Sequence, residues 1–170
     1  MSQPKDETSN YWHILQDTVG WIKFADQKAA LTITANGLII TLLSSNTSII
    51  NSQLEGSGLF LTILFVALIS LIGSIIFSFL CVIPRLKKPQ KVSIIYFENI
   101  HSKFKSQEEY YQELKHVSAN SSSLEEQIAQ HIFMKSDVAT KKFKFIRLGL
   151  IFLALGALLL TIILFYVFFK

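Results

Sequence analysis

The side chains that carry chemistry in enzymes are present in this sequence but do not converge. His13, His101, His116 and His131 are dispersed along the chain. Glu108–Glu109 and Glu125–Glu126 are neighbours in sequence, whereas acid–base work needs two groups brought together from different elements. Such pairs suit the first turn of a helix, where the positive end of the dipole favours acids. Cys81 stands alone, so no intrachain disulfide can form, and the absence of Cys pairs together with the dispersed histidines argues against a zinc site. Its place near the end of an apolar run marks it as a packing residue. No Gly-rich phosphate loop, helical zinc-protease motif or nucleophile–base arrangement is found. These residues predict no catalytic residue, no metal and no cofactor. The expectation is a protein that is not an enzyme, with a site assembled between chains the one enzymatic arrangement left open.

More informative are polar side chains set inside apolar runs. Thr32, Thr34, Asn36, Gly37 and Thr41 interrupt the first run, and Thr34, Gly37, Thr41, Ser44 and Ser48 share one helical stripe. In the second run, Ala67, Ser70, Ser74 and Ser78 form a small-residue stripe beside Gly73. Polar groups are costly against lipid and face other helices or water. Thr34, Asn36, Thr41, Ser70, Ser74 and Ser78 are therefore candidates for interhelical packing and hydrogen bonding, or for a wettable pore face in an oligomer.

Three elements must carry these residues through a membrane. The 170 residues are 51% apolar with 14 Phe, a composition unusual for a soluble domain of this size. The chain is uncharged between Lys28 and Glu55, from Leu59 to Ile83, and from Leu148 to Phe169. The last run, at 1.5 Å per residue, reaches about 33 Å, enough to cross a hydrocarbon core of about 30 Å. The expected architecture is all-α: a three-span helical membrane protein with a small cytoplasmic helical region, its last helix continuous from cytoplasm into membrane. The expected parts are an amphipathic cytoplasmic helix over 1–28, a transmembrane hairpin over 29–83 (spans about 29–50 and 59–83), a cytoplasmic helical sensor region over 84–147, and a third span over 148–169. The polar start is not expected to be a secretory signal. Lys and Arg concentrate in the N-terminal segment and between Arg85 and Arg147, which by the positive-inside rule places both in the cytoplasm and the C-terminus outside. The net charge of +4 is explained by this topology and by an anionic leaflet, without invoking nucleic acid.

The water-soluble parts read as helices. Thr8, Ser9 or Asn10 can cap the first, whose apolar positions Tyr11, Ile14, Leu15, Thr18, Ile22, Ala25 and Ala29 recur at three and four. Ser106–Glu109 and Ser123–Glu126 fit capping boxes, the former opening a short helix with Tyr110, Tyr111 and Leu114 on one face. No Pro or Gly lies between Leu124 and Arg147, so nothing interrupts the last helix before its apolar half. About 60 cytoplasmic residues make a thin core alone, so the middle segment is expected to pack with the N-terminal helix, completed by homo-oligomerisation.

Two stretches carry a family likeness. One is WIKFADQKAALTITANGLIITLL, Trp21 to Leu43. The other comprises IIYFENI, SQEEYYQEL and LEEQIAQHIFMKSDVATKKFKFIRLGL, in which Ser136 precedes Asp137. Together they resemble the small transmembrane effectors of Pycsar antiphage systems, over nearly the whole chain. The resemblance implies a partner cyclase that makes cyclic CMP or cyclic UMP on infection. It further implies an effector in the bacterial inner membrane that answers by impairing membrane integrity, so that infection aborts. The sequence departs from ordinary cyclic-nucleotide receptors in lacking their Gly-Glu…Arg phosphate cassette.

A ligand of this kind needs donors for one phosphate charge and polar groups for base and ribose. The candidates are Lys28 and Lys142 for phosphate, and Asp26, Asn99, Gln127 and Ser136 for base or ribose. Asp26 and Lys28, close in height to Lys141 and Lys142, fit at least as well as parts of an ion-pair clamp between the two helices. Two other functions compete: a nucleotide-independent small ion channel or transport subunit, and a membrane anchor recruiting a soluble partner through Tyr96, Phe97, Tyr110 and Tyr111.

Overall fold

The computed structural model describes residues 5–46, 58–83 and 93–169, without the side chains of 5–7 and 97–99. Of the described residues 92% are helical and none lies in a strand. Among the described residues five helices follow in order: α1 Lys5–Ser45, α2 Gly58–Val82, α3 Phe97–Lys103, α4 Gln107–Ala119 and α5 Ser121–Phe168. Three of them, α1, α2 and α5, are long and apolar enough to cross a membrane. The all-α, three-span expectation holds, and α5 is one unbroken helix of 48 residues.

The first helix carries both the expected N-terminal segment and the start of the first expected span. Composition changes near residue 28, yet α1 runs through that point without a break for 41 residues. No proline interrupts it, and its hydroxyls help it continue where water is absent. Thr32, Thr34 and Thr41 each donate to the carbonyl four residues back, at 2.8, 3.0 and 2.9 Å. Each polar side chain is thereby satisfied within its own helix. Helix α1 is already formed at Lys5, so Thr8 does not cap it; its hydroxyl donates to Glu125 at 2.9 Å instead. Ile14, assigned to the apolar stripe, is exposed, whereas Ala25 and Ala29 are fully buried. Helix α1 ends at Ser45, and Ser48, at the far end of the expected polar stripe, lies outside the described residues. So does the basic run Arg85–Lys91.

The shorter helices follow local capping chemistry. Ser106 accepts from the backbone of Glu109 at 3.2 Å, while Glu109 reaches back to the Lys105 N–H at 2.9 Å. The second expected box is displaced. Helix α5 opens at Ser121, three residues early, and the Asn120 side chain accepts from Ser123 N–H at 3.4 Å. On α4 the buried residue is Val117, and Tyr111 is 54% exposed.

Two compact units result: Met1–Lys23 with Pro84–Thr140, and Phe24–Ile83 with Lys141–Lys170. The N-terminal part of α1 thus shares a unit with the middle segment, as its need for a partner requires. The second unit turns the usual arrangement inside out. Leu31, Leu61, Phe65, Ile69, Ile76, Ile151 and Leu164 face outward, while Ala67, Ser70, Ser74 and Ser78 of α2 are buried. This is the distribution lipid imposes, because apolar side chains gain nothing by leaving it and small ones let backbones approach. At Gly149 an added Cβ would lie 2.9 Å from Ser78 Oγ and 3.4 Å from the Ser74 carbonyl. At Gly156 it would lie 2.9 Å from Leu71 and 3.4 Å from the Ala67 carbonyl. Two glycines seven residues apart on α5 therefore seat it against the small face of α2. Ala25, Ala29, Cys81 and Ile146 close the core at one end, with Phe143 and Phe145 against them.

Candidate ligand groove and buried polar seam

Each unit carries its own polar constellation. In the first, the turn Ser93–Tyr96 folds onto the polar half of α5. Gln127 Oε1 accepts from Ile94 N–H at 3.0 Å and from the Ser93 hydroxyl at 3.1 Å. Ser93 Oγ also lies 3.0 Å from His131 Nε2. Serine has one hydroxyl proton, and Gln127 Oε1 can only accept it, so His131 donates from Nε2. The Tyr96 ring sits 5.9 Å from the His131 ring. Burial, and then the charge of Lys135, hold the His131 imidazole below the usual histidine value. A neutral imidazole is what this enclosure accommodates. Tyr96 is buried, which removes it from the surface an anchor function would use.

The same unit contains a groove of about 610 Å³ lined by Thr8, Ser9, Trp12, His13 and Gln16 of α1, Ser118 of α4, and Ser121 and Leu124 of α5. That size suits a mononucleotide. Trp12 offers an aromatic face for a base, and the hydroxyls, imidazole and amide offer hydrogen-bonding edges.

In the second unit, Lys142 is 5% exposed. Its ammonium pairs with Asp26 and donates to the Cys81 carbonyl at 2.8 Å. The Cys81 thiol in turn approaches the Ala25 carbonyl at 3.7 Å. One buried cation thus ties α1, α2 and α5 together. Further along, Asn36 is completely buried; its amide donates to the Thr32 carbonyl at 2.8 Å and to Ser74 Oγ at 2.9 Å. Asn36 Oδ1 and Ser78 Oγ are buried without a hydrogen-bond partner.

The residues picked from sequence are thus distributed rather than assembled into one site. Asp26 and Lys142 meet, as the clamp. Lys28 lies over the Phe24 ring at 4.3 Å. Gln127 is engaged by the Ser93–Ile94 turn, Ser136 is exposed on α5, and the Asn99 side chain lies outside the described residues. Of the six pore or packing candidates, Asn36, Ser70, Ser74 and Ser78 are buried, and Thr34 and Thr41 face outward. Asp26, Lys28, Gln127, Ser136 and Lys142 do not line the groove. The groove is made by three separate elements, α1, α4 and α5, so no single stretch of sequence marks Trp12 as part of it.

The model of PycTM, the Pycsar effector protein domain, matches residues 10–169. The chain is 32% identical to the Pycsar effector protein SaPycTM of Staphylococcus aureus over 136 residues, 80% of each chain. No solved structure matches.

Proposed function

The chain belongs to the Pycsar effector family, and we propose that it answers a cyclic pyrimidine nucleotide, cyclic CMP or cyclic UMP, by impairing the membrane it spans. Membership makes it an antiphage defence effector, functionally linked to a cyclase that produces a cyclic nucleotide. It is a multi-pass membrane protein. Beyond this, the proposed setting is the bacterial inner membrane, with the N-terminus and the middle segment cytoplasmic and the C-terminus outside. The proposed assembly is a homo-oligomer, and the proposed outcome is abortive infection.

One observation carries the reading: α5 is a single helix whose polar start lines the groove and whose apolar end is long enough to cross a bilayer. A base stacked on Trp12, with its phosphate met by the hydroxyls and His13, would bridge α1 to the start of α5. Ligand binding shifts a conformational equilibrium only by its differential affinity for the two states. A groove lined by α4 and by two helices that both continue as spans is a place where such a difference can arise. In place of the six ligand residues expected from sequence, this reading uses groove residues for binding and the Asp26–Lys142 pair as a restraint.

The test is full-length protein in lipid vesicles with cyclic CMP or cyclic UMP. The nucleotide is expected to quench Trp12 fluorescence and to release an entrapped dye. Trp21→Phe keeps the quenching, and Trp12→Leu loses both responses. Release that ignores nucleotide would favour the constitutive channel, and an intact membrane during toxic expression would favour the anchor.

A further inference from the structure

The interior of the second unit carries a column of polar groups: Lys142 with Asp26, then Thr32 and Ser78, then Asn36 with Ser74, then Ser70. From Cys81 to Ser70 on α2 this spans about 16 Å of helix axis. Its register is set by two contacts, Cys81 with Ala25 and Ser74 with Asn36, which make α1 and α2 antiparallel. The outward hydroxyls are satisfied by their own helix, Thr34 on Ala30 and Thr41 on Gly37. Asn36 Oδ1 and Ser78 Oγ, by contrast, are wholly buried and unpartnered.

A buried acceptor in a medium of low polarity costs free energy until a donor reaches it, and inside a protein that donor is commonly water. The wall that keeps water from Ser78 is α5, where Gly149 leaves less than a methyl group of space. Lys142, which closes the column at one end, belongs to the same helix. Movement of α5 would therefore release the closure and uncover Ser78 Oγ together.

We propose that the seam of Asn36, Ser74 and Ser78 is a water-binding site inside the single protomer, and that it becomes the leak path for water and protons when α5 moves. This rests on the reading that the effector impairs its membrane. It places the path in the interior of the helix bundle and not on the Thr34–Thr41 face, where an oligomeric pore would lie.

The experiment uses full-length protein in vesicles loaded with a pH-sensitive dye under an imposed proton gradient. Asn36→Leu/Ser78→Ala is expected to lower nucleotide-triggered proton flux at least tenfold while leaving Trp12 quenching unchanged. Thr34→Val/Thr41→Val is expected to stay within twofold of the parent chain. Undiminished flux in the seam variant overturns the inference, as does a loss in the Thr34/Thr41 variant equal to that in the seam variant. If the parent chain binds nucleotide but passes no protons, the membrane-impairment reading falls too, and the inference with it. Should Asn36→Leu/Ser78→Ala not fold, Ser78→Cys in a Cys81→Ala background supplies a second readout. Nucleotide is expected to raise its labelling by a charged thiol reagent at least fivefold, and labelling that nucleotide leaves unchanged overturns the proposal.

Discussion

Lys142 and Asp26 show what one buried charge does inside a membrane bundle. Removing one partner of a buried pair strands the other, at a cost of about 3–5 kcal/mol, and Asp26, 38% exposed, belongs at the lower end. Asp26→Asn is expected to lower thermal stability in detergent and to raise vesicle leak without nucleotide. Asp26→Asn/Lys142→Met should recover much of the stability, because no orphan charge remains. His131 carries a prediction about pH. Its imidazole is held below the ordinary value of 6.5, so the unfolded chain binds a proton that the folded chain resists. This contribution to stability is fully present above that value and declines as pH falls through it. His131→Gln should flatten the fall in melting temperature between pH 7.5 and pH 5. The clamp residues were legible because charges beside an apolar run are few. The Ser93–Gln127–His131 cluster was not, since its partners are more than thirty residues apart and each looks ordinary alone.

Among the elements, α1 and α5 share a design: each is an unbroken helix that starts polar and ends apolar. Only α5 was recognisable as such from sequence. In α1 the shift from charged to Thr-rich residues suggested a boundary near residue 28, but a change of composition does not interrupt a hydrogen-bond ladder. The close seating of α5 on α2 had half a signal. The small stripe on α2 was visible, while Gly149 and Gly156 were hidden in an apolar run. Gly149→Leu should cost about 1–3 kcal/mol by overpacking against Ser74 and Ser78. Gly37→Ala is the contrast: a methyl group there meets nothing within 4 Å, and helix propensity favours the change by up to about 1 kcal/mol. Thermal unfolding in detergent separates the two.

At the scale of the molecule, the fold class was the easiest feature to foresee, because bilayer crossing demands long uncharged helices and little else satisfies it. The division of α1 and α5 between two compact units was harder, since it depends on which side chains meet. Inserting Gly-Gly between Thr140 and Lys141 is expected to preserve Trp12 quenching and to abolish nucleotide-triggered dye release. Simultaneous measurement of both checks it, and release at the parent level would show that an intact α5 is not required.

Helix α2 adds a dependence on the lipid itself. Its 25 residues rise about 37 Å, more than a typical hydrocarbon slab of about 30 Å, so it must lean or thicken the lipid around it. Thinner bilayers of short acyl chains enlarge that mismatch, and thicker ones relieve it. The threshold for response then becomes a joint property of this chain and its host's fatty-acid composition, and a cell that remodels its lipids with temperature would retune its own defence.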